Sequence, residues 1–122
     1  MISRKEWKKA FLQRLLEFAV AIIKLANKLP KTPAGFAIAT QLIKAGTAIG
    51  ANAEEAQDAS SLKDFIQKLS IALREARETC YWLKVISKSD LLSFDIVEPE
   101  LKEGEEIVAM LSSSVKSSKM KL

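Results

Sequence analysis

Apolar residues recur at alternating spacings of three and four in four separate stretches of this chain, and helix-breaking punctuation falls between them. An α-helix returns to the same side every 3.6 residues, so such a stripe shares one face only if its segment is helical. In the first stretch the stripe is Phe11, Leu15, Phe18, Ile22, Leu25 and Leu29. Ser3 and Glu6 stand ahead of it in capping-box register, and Pro30 closes it by driving its predecessor out of the α region. Thr32 and Pro33 then read as an N-cap followed by proline at the first helical position. The second stretch sets Phe36, Ile38, Leu42, Ala45, Ile49, Asn52, Ala53 and Ala56 along one side. It also carries Gly46 and Gly50. Each glycine costs about 1 kcal/mol relative to alanine within a helix, so two of them one turn apart imply a close backbone neighbour.

Ser61 and Asp64 cap the third stretch, where Phe65, Leu69, Ala72, Ala76, Thr79, Leu83 and Ile86 alternate four and three. Ile66, Leu73 and Cys80 add a second stripe beside the first. A single stripe serves a helix that contacts only its own bundle, so the surplus predicts association between copies of the chain. The fourth stretch begins near Pro99, with Asp95 or Glu98 as cap, and aligns Leu101, Gly104, Val108, Leu111 and Val115. The expected helices cover residues 3–29, 33–58, 61–88 and 96–117 of one domain, 1–122. Short connections make successive helices antiparallel neighbours, so the expected fold is all-α, an up-down-up-down four-helix bundle, and oligomeric.

Composition removes whole classes of function. The 122 residues are 48% hydrophobic with only 4 glycines and 3 prolines, too apolar for a disordered chain and too poor in turn residues for a β-sandwich. With no histidine and one cysteine, the chain offers no Cys/His zinc site, Ser-His-Asp triad, Cys-His dyad or disulfide framework. No cofactor and no metal are expected. The longest apolar run, Phe18 to Ile23, lies between Glu17 and Lys24 and falls far short of the roughly 20 residues a membrane span needs. Cys80 therefore reads as a reduced thiol in a cytoplasmic protein.

The net charge of +4 is unevenly placed. In the expected topology, the start of helix one, the end of helix four and the loop between helices two and three share one pole. Arg4, Lys5, Lys8, Lys9, Lys63, Lys68, Lys116, Lys119 and Lys121 gather there against Glu6, Glu54, Glu55, Asp58 and Asp64, which leaves the whole excess at that end. The other pole and the middle each cancel. Arg4, Lys5, Lys8 and Lys9 crowd the start of a helix, where the helix dipole favours anions. They are candidate phosphate contacts, together with Lys116 and Lys119. The competing reading is a solvated surface paired with the acidic Glu54–Asp58 loop.

One part of the chain resembles a known family. The runs Gln41-Leu42-Ile43-Lys44-Ala45, Ile49-Gly50-Ala51-Asn52 and Glu55-Ala56 are followed by Asp64-Phe65-Ile66-Gln67-Lys68-Leu69. Then comes Ile71-Ala72-Leu73-Arg74-Glu75-Ala76-Arg77-Glu78-Thr79, ending in Tyr81-Trp82-Leu83. The whole resembles the bacterial four-helix-bundle family of intervening-sequence proteins, some of them encoded within insertions in large-subunit ribosomal RNA genes. The similarity extends from the stripe of helix one to the start of helix four, and the termini carry none of it. The resemblance implies a homopentamer and an accessory role in retroelement mutagenesis, in which a basic ring contacts RNA or DNA and a reverse transcriptase as protein partner. Ala53-Glu54 departs from the bulkier or differently charged pair common in the family after the asparagine.

Several polar side chains fall on or near apolar stripes. Asn52, Glu55, Glu75, Glu78 and Thr79 are expected to form a hydrogen-bonded layer that fixes register or subunit packing, since buried polar groups must find partners. Tyr81 and Trp82 join them as interface or core anchors. Arg74 with Glu78, and Asp64 with Lys68, have ion-pair spacing. Two other functions compete with a non-catalytic scaffold or adaptor. One is a metal-dependent enzyme using Glu55, Glu75 and Glu78, although bundle di-metal sites also draw on a Glu-x-x-His motif. The other is a membrane-surface bundle that lays down Trp7, Phe11 and the lysines of helix one. The core's need for Phe11, Leu15, Phe18 and Ile22 argues against a membrane partner.

Overall fold

The computed structural model describes residues 2–122 as four α-helices, with no strand among the described residues. α1 spans Arg4–Ala26, α2 Pro33–Ala56, α3 Leu62–Lys88 and α4 Phe94–Lys119. Three helices begin at their expected caps. Ser3 Oγ accepts from the Glu6 amide at 3.1 Å, Thr32 Oγ1 from that of Gly35 at 3.1 Å and Ser61 Oγ from that of Asp64 at 3.0 Å. Each bond satisfies an N–H that the helix itself cannot.

The ends of α2 and α4 each shift by two residues from expectation, and two other boundaries depart in ways that change the core. α1 stops at Ala26, and the turn in which Lys28 N donates to Leu25 O and Leu29 N to Ala26 O carries Leu29 back into the core. α4 starts at Phe94, ahead of both expected caps. Ser93 occupies the cap position without a side-chain bond, so Pro99 falls inside the helix, where its missing N–H leaves the Asp95 carbonyl without its usual donor. That earlier start brings Val97 into the core, and Val97 and Ile107 are fully buried while Leu101 and Val108 are only half-buried. α3 ends in a Schellman motif, with Asp90 at φ 60°. The Asp90 amide donates to Ser87 O and that of Leu91 to Ile86 O.

Each helix packs on two neighbours, α1 on α2 and α4, and α3 on α2 and α4, while the diagonal pairs stay apart. The α1–α4 seam is the thinnest of the four. At the centre lie Leu15, Ile22, Leu42, Ile49, Leu83 and Leu111. Gly46 faces Ile22 and Gly50 faces Leu15, so α1 lies against both glycines of α2.

The second stripe of α3 is not surplus. Ile66, Leu73 and Cys80 are buried within the single chain, and a Cβ on Gly104 of α4 would come within 2.9 Å of the Cys80 sulfur. A helix flanked by two neighbours needs a face twice as wide as one stripe, and the inference of association from this helix fails for that reason. Exposed apolar surface lies elsewhere. Leu16, Val20 and Ile23 run at four- and three-residue spacing along the outer side of α1, and Leu16 is 56% exposed. Phe36, expected in the core of α2, is 62% exposed, and Phe65 is half-buried. Among the described residues, no helix is long and apolar enough to cross a membrane.

Candidate nucleic-acid interface

The pole predicted from charge is where four helix ends meet. A cleft of about 540 Å³ there draws Arg4, Trp7 and Lys8 from α1, Gln57 from the end of α2, Phe65 from α3 and Ser117 from α4. Arg4 and Lys8 face the cleft, and Lys121 joins them from beyond α4. Lys5 and Lys9 are exposed but take no part in its lining, and the same holds for Lys116 and Lys119. Capping locates the cations of α1. With Ser3 fixed as N-cap, Arg4 and Lys5 fall on the first two helical residues, where unbonded amides and the dipole make a positive neighbourhood. Glu6 is the one carboxylate in that turn, and its Oε1 accepts from the Ser3 hydroxyl at 3.1 Å.

No carboxylate lies within ion-pair distance of Arg4, Lys5, Lys8 or Lys9 among the described residues. The acidic loop makes no ion pair with them. Glu55 pairs with Lys68 of α3 at 3.7 Å, and no ion pair joins Lys68 to its expected partner Asp64 among the described residues. Asp64 instead accepts from the Ser60 amide at 3.1 Å and tightens the turn before α3.

Of the polar residues expected to form a layer, Glu55 reaches another helix through its pair with Lys68, while Asn52, Thr79 and Trp82 donate within their own helices. Asn52 is half-buried, and its Nδ2 donates to Ala48 O of its own helix at 2.8 Å. Thr79 is fully buried, and its hydroxyl donates to Glu75 O at 2.8 Å. Trp82 Nε1 donates to Glu78 Oε1 at 3.2 Å, while Tyr81, 59% exposed, meets the Trp82 ring edge-on. Glu55 is exposed at the far end of α2. For Asn52 and Thr79 the acceptor is the carbonyl one turn back, which takes the side-chain donor alongside the helix's own amide. No group of three potential metal-ligating side chains stands together among the described residues.

A second and shorter cross-helix link lies among charges that the sequence shows only as cancelling. Arg14 of α1 grips Glu103 of α4 through two bonds, at 2.6 and 2.7 Å, and reaches Glu106 at 3.4 Å. Glu103 therefore sits beside the middle of α1. The Arg14 hydrogen bonds hold the Glu103 carboxyl below its usual range. On α3, partial burial pushes the Glu75 carboxyl up, and Glu78 adds to that, with Arg74 and Lys44 opposing. Burial likewise pushes the Cys80 thiol up, so it is a poor nucleophile.

These two carboxylates give opposite pH signatures. The depressed Glu103 contributes stability that is present above the unfolded value near 4.3 and lost as pH falls through its folded value. The raised Glu75 contributes stability below about 4.3 and loses it as pH rises through its folded value. At pH 7, Glu75→Gln should therefore raise the melting temperature, while Glu103→Gln should cost about 1 kcal/mol after allowance for solvent screening. Thermal melts at pH 4 and pH 7 check both, since each difference should shrink at the lower pH.

Comparison with known proteins places the chain. A family model described as 23S rRNA-intervening sequence protein matches residues 7–113, further into α4 than the similarity read from motifs. Arg4, Lys5, Lys116 and Lys119 lie outside that match. No curated protein matches. A crystal structure of a protein of unknown function from the S23 ribosomal protein family of Bacteroides thetaiotaomicron is similar at 39% identity and a TM-score of 0.81. The alignment covers 87% of this chain and 98% of that one.

Proposed function

The chain belongs to the 23S rRNA-intervening sequence protein family, and from that premise we propose that it is a non-catalytic, homo-oligomeric scaffold that binds nucleic acid through its basic pole. The subunit is an antiparallel up-down-up-down bundle, the assembly is a pentamer, the setting is the cytoplasm, and a protein partner docks on the assembly. One observation carries the binding role: Arg4, Lys5, Lys8 and Lys9 crowd the start of α1 with no carboxylate partner, where the helix dipole opposes them. Cations held where they cost stability are explained by a polyanion that repays the cost. Support for association comes from Leu16, Val20 and Ile23, an apolar line on the outer side of α1 that another copy would cover. Repeating the subunit around a ring would repeat its +4 charge.

Contacts of this kind read phosphates and shape, not base order. Replacing Arg4, Lys5, Lys8 and Lys9 with glutamate tests the role cleanly, because negative charge suits a helix start and should not unfold α1. Wild-type affinity for duplex DNA is expected to fall with salt at a log–log slope of about −3 to −4 per bound subunit, as four phosphate contacts require. The variant should lose measurable binding. Wild type that fails to bind at low salt, or a variant that binds equally well, overturns the reading.

A further inference from the structure

We infer that the cleft at the basic pole is a nucleotide site, taking one base with its 5′-phosphate. This deepens the nucleic-acid reading and rests on it for the location, though its chemistry is separate. Trp7 is 47% exposed and lies along the cleft wall, braced from one side by Phe11 at a centroid distance of 5.5 Å and an interplanar angle of 12°. An indole held flat by a buried phenyl ring and still half open to solvent is a platform on which a planar group can stack. Phe11, Phe65 and Leu69 make the floor apolar, while Arg4, Lys8 and Lys121 stand around it. The volume of about 540 Å³ falls within the roughly 300–1,000 Å³ usual for small-molecule sites.

Gln57 narrows the ligand further. It lines the cleft, and its Nε2 donates to Ala53 O at 3.0 Å, yet its Oε1 is buried with no donor. A buried acceptor without a partner is costly, so a ligand that brings an N–H gains more than one that does not. A fatty acid would satisfy the cations and the apolar floor but offers Gln57 no donor, and inorganic phosphate would leave the aromatic wall bare. A base supplies a stacking plane and N–H donors, and its phosphate answers the cations. The same chemistry comes from a free nucleoside monophosphate or from one unit of a single strand.

The test uses the full chain with Trp82→Phe, so that Trp7 is the sole indole and its fluorescence reports stacking. Titration with AMP is expected to quench it saturably, with adenosine about tenfold weaker and inorganic phosphate without effect. Adding Gln57→Leu should weaken AMP by about tenfold while circular dichroism stays unchanged. An oligodeoxyadenylate that quenches at lower concentration than AMP identifies a single strand as the source, and quenching by AMP alone identifies a free nucleotide. Absence of saturable quenching by AMP, an equal response to phosphate, or an undiminished response in the Gln57→Leu protein overturns the proposal. The two readings fail separately. Quenching by AMP without salt-dependent DNA binding sinks the polyanion role and keeps the nucleotide site, and DNA binding without quenching does the reverse.

Discussion

Gly46→Ala is expected to destabilise the protein by about 1–3 kcal/mol, whereas Gly50→Ala, one turn along the same helix, should be neutral or stabilising by up to about 1 kcal/mol. A Cβ added at Gly46 would lie 2.7 Å from Ile22 Cγ2 and 3.1 Å from its Cβ. Ile22 is β-branched, fully buried and stiff about χ1, so it cannot swing aside, and α1 must move off α2. At Gly50 the nearest atom, Leu15 Cβ, would be 3.5 Å away, an ordinary contact. There the usual advantage of alanine in a helix remains and nothing opposes it. Urea or thermal unfolding of the two variants decides, with a drop of several degrees for the first and none for the second. Equal effects would mean that the two glycines do not sit against α1 in the register described.

Leu16→Lys combined with Val20→Lys should reduce the solution mass to the 13.5 kDa of one subunit without loss of helix. Both side chains point away from the core, at 56% and 44% exposure, so charge there leaves the bundle's own packing alone. In an interface the same lysines would be buried without partners, a penalty of several kcal/mol for each contact repeated around the assembly. Light scattering of wild type and variant at equal micromolar concentration measures the change. A wild type that is itself a 13.5 kDa particle ends the proposal of association.

The helices were legible because their signals are local. Ser3, Thr32 and Ser61 cap through side chains that reach only three residues ahead, and the stripe of α1 lies in the core from Phe11 to Leu29. Helix four was read less well, since its start has no side-chain cap and a proline inside it imitates a beginning. Partners across helices were harder still. The Arg14–Glu103 pair joins residues 89 positions apart, and nothing in either neighbourhood announces the other. The second stripe of α3 misled for a related reason: spacing reports how wide an apolar face is but not whether the chain's own α4 covers it. Of the candidate site, the charge imbalance was visible as composition. Trp7 as a wall of the cleft was not, because that depends on Gln57, Phe65 and Ser117 arriving from three other helices.

The seam between α1 and α4, where the two backbones approach closely at the fewest places, is the clasp of this bundle. The other three junctions are also tied by a connecting loop, while this one closes the circle with no covalent hinge and is spanned at its middle by the Arg14 guanidinium, held by Glu103 and Glu106. When the native state breathes, solvent should enter along that line first, parting the outermost helices while α2 and α3 stay locked together. The cleft lies at one end of the same line, so a guest that bridges both sides would act as a latch.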